Sequence, residues 1–170
     1  MESDLPGGIE VAEVVRFVIP GVPVGKGSVC AFPIRRKDGR LSAVVTQDKT
    51  TINWVATARL AAERAWARSP LGGAIQLRAC FWFPRPNCHY KSHRPGPGRL
   101  KPTAPIYHTR KPDEDKLQRA LRDALTGVIY RDDSQIAVAY GEKRYADFGE
   151  MPRTEVEIRL LQNPPLGEKP

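Results

Sequence analysis

The chain has 170 residues, 41% of them hydrophobic, and a formal net charge of +8. This length fits one domain that buries roughly two-thirds of its unfolded surface, and the positive charge favours an anionic partner. No apolar run approaches the ~20 residues of a membrane helix, and the opening MESDLPGGIE has no apolar core, so we expect neither a membrane partner nor a signal peptide.

Hydrophobic periodicity predicts four strands and two helices in one domain, residues 13–162, between flexible termini at 1–12 and 163–170. Strands are predicted over 14–20, 74–84, 134–145 and 154–161, and helices over 51–68 and 116–125. The order is strand, helix, strand, long loop, helix, strand, strand. It predicts an α+β fold, in which a mixed sheet packs against two helices.

Two runs of apolar residues define the predicted core. The strand at 74–84 places alternate residues on one face, namely Ile75, Leu77, Ala79, Phe81 and Phe83. The second helix carries a stripe at spacings of three and four, namely Leu117, Ala120, Leu121, Ala124 and Leu125, and Gly127 ends it.

The segment GVPVGKGS, after the first strand, contains a Gly-Lys-Gly sequence similar to that of a phosphate-binding loop. It lacks the full G-x-x-x-x-G-K-[ST] spacing, and no helix pattern follows directly. We therefore interpret it as a flexible basic loop.

A long segment at 84–112 is rich in Pro, Gly and cations and has no periodicity. From Arg64 to Pro112 there are ten Lys or Arg residues and no Asp or Glu. Such a loop inside a compact domain is typical of a functional or disordered region, although an idle solvated charge run is the alternative. We predict that its cations contact DNA phosphates and that Tyr90 and Tyr107 can stack on bases. The predicted contacts are Arg85, Lys91, Arg94, Arg99, Lys101, Arg110 and Lys111.

Acidic residues gather instead in KPDEDKLQRALRDALTGVIYRDDSQ, residues 111–135. The simple explanation is that an Asp caps the second helix and that Arg131-Asp132-Asp133-Ser134 is a polar turn. The predicted fold also allows Asp113 and Asp115 to meet Asp133. Three carboxylates at ~5 Å would repel by about 3 kcal/mol per pair at an effective dielectric of ~20, so a hard cation such as Mg²⁺ or Mn²⁺ would relieve them.

A Mg²⁺ site on a basic surface is typical of phosphodiester hydrolysis. Arg119 follows Asp115 by four residues and can reach the same site, where a cation stabilises charge on phosphate. Its alternative role is an i, i+4 ion pair with Asp115. Lys116 can likewise reach the predicted site, or its side chain can simply point to solvent.

The acidic segment resembles the RusA-type Holliday-junction resolvases of phages and prophages. The resemblance rests on Pro112-Asp113-Glu114-Asp115-Lys116-Leu117, on Asp123-Ala124-Leu125, on Tyr130, and on Asp132-Asp133-Ser134-Gln135-Ile136. It implies a homodimeric, Mg²⁺-dependent endonuclease that resolves four-way DNA junctions by paired symmetric nicks, without an organic cofactor.

The resemblance also implies site residues. The metal ligands would be Asp113, Asp115 and Asp133, with Asp132 close by. The family's essential lysine falls on Arg119, which keeps the charge but replaces a compact ammonium by a planar fork, so Lys116 is a second candidate. Three cysteines that lack Cys-x-x-Cys spacing favour a reducing cytosol, and the resemblance implies that of a bacterial host.

Two other functions stay open at this point. The first is a non-catalytic basic DNA-binding protein, whose acids only cap a helix and form a turn. The second is a metal nuclease that acts on another branched DNA or on RNA.

Overall fold

The computed structural model describes residues 11–27, 30–35, 41–46 and 48–162. Within them lie β1 (Val11–Pro20), β2 (Cys30–Arg35), β3 (Leu41–Thr46), α1 (Lys49–Ala65), β4 (Ile75–Phe83), α2 (Glu114–Leu125), β5 (Ile136–Tyr145) and β6 (Arg153–Leu161). Short 3-10 turns lie at Asn87–His89, Lys91–His93 and Asp133–Gln135. Of the predicted flexible termini, only residues 11 and 12 are described, and they belong to β1; 1–10 and 163–170 lie outside the described residues.

Four strands form one mixed sheet in the order β1-β6-β4-β5. β6 pairs antiparallel with both β1 and β4, while β4 and β5 run parallel. α1 packs on β1 and on α2, and α2 also contacts β5. This arrangement confirms the predicted α+β fold, with a mixed sheet and two helices in a single domain.

The core contains the side chains that the sequence periodicity predicts. Alternate residues of β4 are buried, namely Ile75, Leu77, Ala79, Phe81 and Phe83. The predicted stripe of α2 is fully buried, namely Leu117, Ala120, Leu121, Ala124 and Leu125. They belong to one hydrophobic cluster with residues of β1, α1 and β6. Because each fully buried leucine contributes roughly 1.5–3 kcal/mol, this cluster holds α2 firmly against its neighbours.

All six predicted elements differ from the prediction by one to three residues at one end or both, and two of these differences have a local cause. α1 ends at Ala65, three residues early, because Trp66 leaves helical geometry and its indole N–H donates to the Ser69 carbonyl at 3.0 Å. β5 begins at Ile136 because residues 133–135 form a 3-10 turn. Neither helix in the described ranges is long and apolar enough to cross a membrane.

The antiparallel pair of β2 and β3 is an element that the sequence reading missed. The Asp38-Gly39 dipeptide between the two strands is a recognised hairpin signal that could have revealed it. Pro33 and the surrounding cations obscured the strand pattern there.

The parallel pairing of β4 and β5 places the functional segments. Their register runs from Ile75 opposite Ile136 to Phe83 opposite Tyr145. A parallel neighbour requires the chain to return to the starting end of the sheet, so residues 84–135 form one crossover. This crossover contains both the basic loop and α2, and it brings the start of α2 beside the edge strand β5.

Candidate active site

A cavity of about 590 Å³ lies between α2 and the beginning of β5. We call it the carboxylate cavity because four acids line it, namely Glu114, Asp115, Asp123 and Asp133. Arg119 and Arg122 are the cations of its lining, and Gln118, Ala139 and Gly141 complete it. Two acids that are eighteen residues apart in the sequence, Asp115 and Asp133, thus line the same cavity.

Two residues set the distance between α2 and β5 at this cavity. Gln118 is buried, and its side-chain amide donates to the Tyr140 carbonyl at 3.2 Å. A Cβ at Gly141 would lie 1.8 Å from Oε1 of Glu114 and 2.4 Å from Nε2 of Gln118. Because the glycine has no such atom, the first turn of α2 can approach the strand closely. Sequence reading did not identify Glu114, Gln118 or Gly141 as site residues.

Asp113 occupies the N-cap position of α2, yet its side chain makes no capping hydrogen bond. It pairs instead with Nζ of Lys116 at 3.0 Å. The hydrogen bond and charge of Lys116, helped by Lys111 and Lys143, hold the pKa of Asp113 below its ordinary value. The carboxylate is therefore ionised and exposed, and Lys116 lies in direct contact with it. Asp113 is not among the residues that line the carboxylate cavity.

The backbone before Asp113 is fixed by a lysine of β5. Nζ of Lys143 donates to the carbonyls of Arg110 and Pro112, at 2.8 Å each. Hydrogen bonds from a charged donor contribute about 1.5–3 kcal/mol, more than a surface ion pair. Lys143 therefore positions the approach to α2, and nothing in the sequence pattern marks it for this role.

Asp115 and Arg119 form the i, i+4 ion pair that the sequence allowed, at 3.6 Å between Nη2 and Oδ2. Both side chains are more than half exposed, and both line the carboxylate cavity. An exposed pair of this kind contributes about 0–1 kcal/mol, so each partner can exchange the other for a ligand.

The two neighbouring acids of the second cluster have different surroundings. Asp132 caps the 3-10 turn, accepting from the Ser134 N–H at 2.9 Å, and contacts with Ser134 lower its pKa. Gln135 completes a capping box and also donates to the carbonyls of Leu71 and Gly73. Asp133 makes no capping bond of this kind and faces the carboxylate cavity. The simple turn explanation thus accounts for Asp132 and not for Asp133.

The predicted metal ligands fit a hard cation in chemical type, since all of them are carboxylates. In the described ranges, however, no three His, Cys, Asp or Glu side chains are placed to hold one ion together. Asp115 and Asp133 share a cavity, Asp113 points to Lys116, and Asp132 is engaged as a cap. The full ligand set of Asp113, Asp115, Asp133 and Asp132 stays a prediction.

The cations of the basic loop, residues 84–112, fall into two groups. Four are exposed and make no side-chain hydrogen bond or ion pair within the described ranges, namely Lys91, Arg94, Arg110 and Lys111. Three bond to backbone carbonyls, namely Arg85 to residues 105, 145 and 146, Arg99 to residues 91 and 94, and Lys101 to residue 88. The DNA contacts predicted for all seven stay a prediction, but the second group also builds the loop.

The aromatic residues of the loop divide in the same way. Tyr90 is 4% exposed and therefore has no free face for a base. Tyr107 is 55% exposed, and the guanidinium of Arg144 lies 5.7 Å from its ring. Of the two tyrosines, only Tyr107 presents a surface on which a base can stack.

The chain is similar to known proteins over most of its length. An uncharacterized protein of Bacillus subtilis (strain 168), YqaN, is 28% identical over 155 residues, which cover 86% of this chain and 96% of that protein. The sequence pattern of the family described as endodeoxyribonuclease RusA matches residues 20–159, a span that includes the carboxylate cavity and the basic loop. The chain therefore belongs to the RusA endodeoxyribonuclease family, which makes it a nuclease by descent.

Proposed function

We propose that this protein is a Mg²⁺-dependent endonuclease that resolves four-way DNA junctions by paired symmetric nicks. The observation that carries the proposal is the meeting of Asp115 and Asp133 in one cavity with Arg119, inside a chain of the RusA family. The resemblance noted in the sequence assigns these same positions to the catalytic centre.

The donor atoms suit Mg²⁺, with Mn²⁺ as a substitute, and the bound ion would polarise the phosphate and lower the pKa of a water molecule. Asp115 and Asp133, which line the cavity, would hold the ion, and Asp113 is the third proposed ligand. Arg119 would stabilise the negative charge that develops on the phosphate oxygens. Lys116 is the second candidate for that role, since its ammonium already lies beside a predicted ligand.

The basic loop would hold the DNA near the cavity. Four of its cations are exposed and can reach phosphate groups without breaking a contact that builds the fold. Each neutralised phosphate releases counterions, so binding should weaken steeply as salt increases. Two nicks of opposite symmetry require two cavities, and a homodimer would supply them.

The first experiment compares a labelled four-way junction with a linear duplex of the same sequence, in Mg²⁺ and in EDTA. Asp115→Asn should lose cleavage, because it removes a ligand and leaves the fold intact. Glu63→Gln is the matched control: it breaks an exposed i, i+4 pair with Arg59 of similar length, 3.3 Å, on α1. Paired nicks confined to the junction, lost in EDTA and in Asp115→Asn only, are the expected result.

Other outcomes point to the alternative functions. Junction binding without cleavage under any divalent ion would favour a non-catalytic DNA-binding protein, which the absence of a three-ligand cluster in the described residues would also fit. Equal cutting of flaps, RNA or plain duplex would leave a metal nuclease and remove the junction from the proposal.

A further inference from the structure

The Gly-Lys-Gly segment, residues 25–27, is docked on the first turn of α2. The backbone N–H of Lys26 donates to the Lys116 carbonyl at 2.9 Å. The hydroxyl of Thr51, on α1, donates to the Gly25 carbonyl at 3.4 Å. The interpretation of this segment as a flexible loop does not account for these contacts, because they tie it to both helices.

Gly25 makes the close approach possible. A Cβ at this position would lie 3.0 Å from the Cβ atoms of both Lys116 and Pro112. Such contacts are tighter than side chains normally allow, so any larger residue would push the segment away from α2. The backbone of Lys26 is therefore fixed against the residues on either side of Asp113.

The side chain of Lys26 reaches Asp123 on α2, at the border of the carboxylate cavity. Its ammonium forms an ion pair with Oδ2 of Asp123, two turns beyond Lys116, and Asp123 lines the cavity. The side chain of Lys26 is 25% exposed, less than those of Lys116 at 37% and Arg119 at 57%. Among these three cations beside the acids, Lys26 is thus the most enclosed and the one whose backbone a second element holds in place.

The ion pair with Asp123 is weak enough for a ligand to replace the carboxylate beside Lys26. The Asp123 side chain is 41% exposed, and a surface pair of this kind contributes about 0–1 kcal/mol. A phosphate oxygen can therefore replace the carboxylate at little cost. A lysine ammonium is a compact charge with three donors, which suits a phosphate as a point contact.

We propose that Lys26 contacts a phosphodiester group of the DNA at the carboxylate cavity, and that Asp123 holds its ammonium there until the DNA binds. This inference rests on the proposed nuclease function and adds a cation from outside the crossover to its site. The Gly-Lys-Gly sequence would then bind phosphate through the side chain of Lys26, although it does not form a nucleotide-binding loop.

The test uses the full chain with Lys26→Gln and Lys26→Arg, and with Arg59→Gln as a control that removes a cation from an exposed pair on α1. Binding of a four-way junction is measured in EDTA over a range of salt concentrations. Lys26→Gln should reduce the slope of log K against log salt by about 0.9, the contribution of one phosphate contact. Lys26→Arg and Arg59→Gln should keep the slope of the unmodified chain.

Cleavage in Mg²⁺ supplies the second readout. Removing a charge that acts on the reacting phosphate should lower kcat by about 10- to 100-fold in Lys26→Gln, with KM changing less. Lys26→Arg should recover part of that loss. The melting temperatures of all the variants should match that of the unmodified chain. A Lys26→Gln variant whose slope and kcat match Arg59→Gln would overturn the inference, as would a lower melting temperature with an unchanged slope.

The two proposals fail in different ways. If the unmodified chain binds the junction but cuts no DNA, the nuclease function is wrong, and the salt slope alone still decides whether Lys26 contacts phosphate. If it cuts normally and Lys26→Gln cuts equally well, only the inference about Lys26 is wrong. A chain that binds no DNA would overturn both.

Discussion

The carboxylate cavity and the basic loop use their charges differently. At the cavity, Arg119 meets Asp115 in an exposed ion pair, and Lys116 meets Asp113 in a similar pair just outside the cavity lining. In the loop, Arg85 has only 4% of its side chain exposed and donates to carbonyls of the segments beside it. Exposed pairs contribute about 0–1 kcal/mol, whereas a buried charged donor that loses its partners costs several times more.

The two regions show that charged residues have two different roles in this chain. Charges at the cavity are held weakly and are free to meet a metal or a phosphate, so their removal should affect activity. The bonded charges of the loop shape the backbone, so their removal should affect stability. Four substitutions, three of them with a matched control variant, test this division and the geometry of the cavity.

The largest effect is expected at Asp133. Asp133→Asn should lower junction cleavage by at least about 10²–10³-fold, because it removes a proposed ligand of the ion that would stabilise the transition-state charge. The neighbouring Asp132→Ala removes a cap and should instead cost about 0.5–2 kcal/mol of stability, with cleavage largely kept. Single-turnover cleavage and urea unfolding of both variants provide the measurement. Equal losses of cleavage would mean that Asp132 belongs to the catalytic group as well.

Arg85→Gln should give the second largest effect, and it should appear in stability. The guanidinium donates to the carbonyls of Pro105, Tyr145 and Ala146, at 2.8, 3.4 and 3.3 Å. Losing these bonds should lower the free energy of unfolding by about 2–4 kcal/mol. Lys91→Gln, which removes an exposed cation of the same loop, is the control and should change only the salt dependence of DNA binding. A stable Arg85→Gln protein with a reduced salt slope would erase the distinction between the two groups.

Gly141→Ala tests the spacing between α2 and β5. The new Cβ would collide with the ends of Glu114 and Gln118, and the buried amide of Gln118 would lose its bond to Tyr140. We expect a loss of about 1–2 kcal/mol in stability, together with reduced cleavage. Gly72→Ala is the matched control because nothing lies within 4 Å of its added Cβ. If both variants unfold and cleave alike, the close approach at Gly141 is unimportant.

The smallest effect concerns the acid titration of Asp113. Lys116 lowers its pKa, so the ionised form is favoured in the folded state. This contact adds stability above the ordinary pKa of about 3.9, and the contribution is lost as pH falls through the lower folded value. Lys116→Gln should move the carboxyl titration of Asp113, followed by NMR, back toward the ordinary value. The titration of Asp132 should stay in place, because Ser134 causes its shift; a parallel movement of both would refute the local assignment.

The sequence predicted those features that depend on periodicity within one element or on two elements that follow each other along the chain. The stripe from Leu117 to Leu125 and the alternation from Ile75 to Phe83 are properties of single elements, and burial follows them directly. The order of α2 and the next strand allowed Asp115 and Asp133 to line one cavity. That order allows few arrangements.

Other features depend on contacts between distant segments and leave no local pattern. Lys26 reaches Asp123 only because a loop docks on α2, and Gly141 matters only because Glu114 lies against it. Adjacent acids such as Asp132 and Asp133 are equivalent in a sequence, and backbone direction alone makes one a cap and the other a lining residue. The burial of Arg85 was equally invisible among exposed cations.

The parallel pairing of β4 with β5 also bears on how this architecture can diversify. The sheet fixes the chain where it leaves Phe83 and where it rejoins at Ile136, and α2 is anchored by its leucines. Arg85 and residues 106–112 bond to β5 or to the segment that follows it, whereas the backbone N–H groups of residues 86–104 donate to carbonyls of their own segment, so this inner part can lengthen, shorten or be exchanged while the four strands keep their registers. A lineage can therefore change this exposed basic segment by replacing one contiguous piece of coding sequence, with the residues of the carboxylate cavity inherited unchanged.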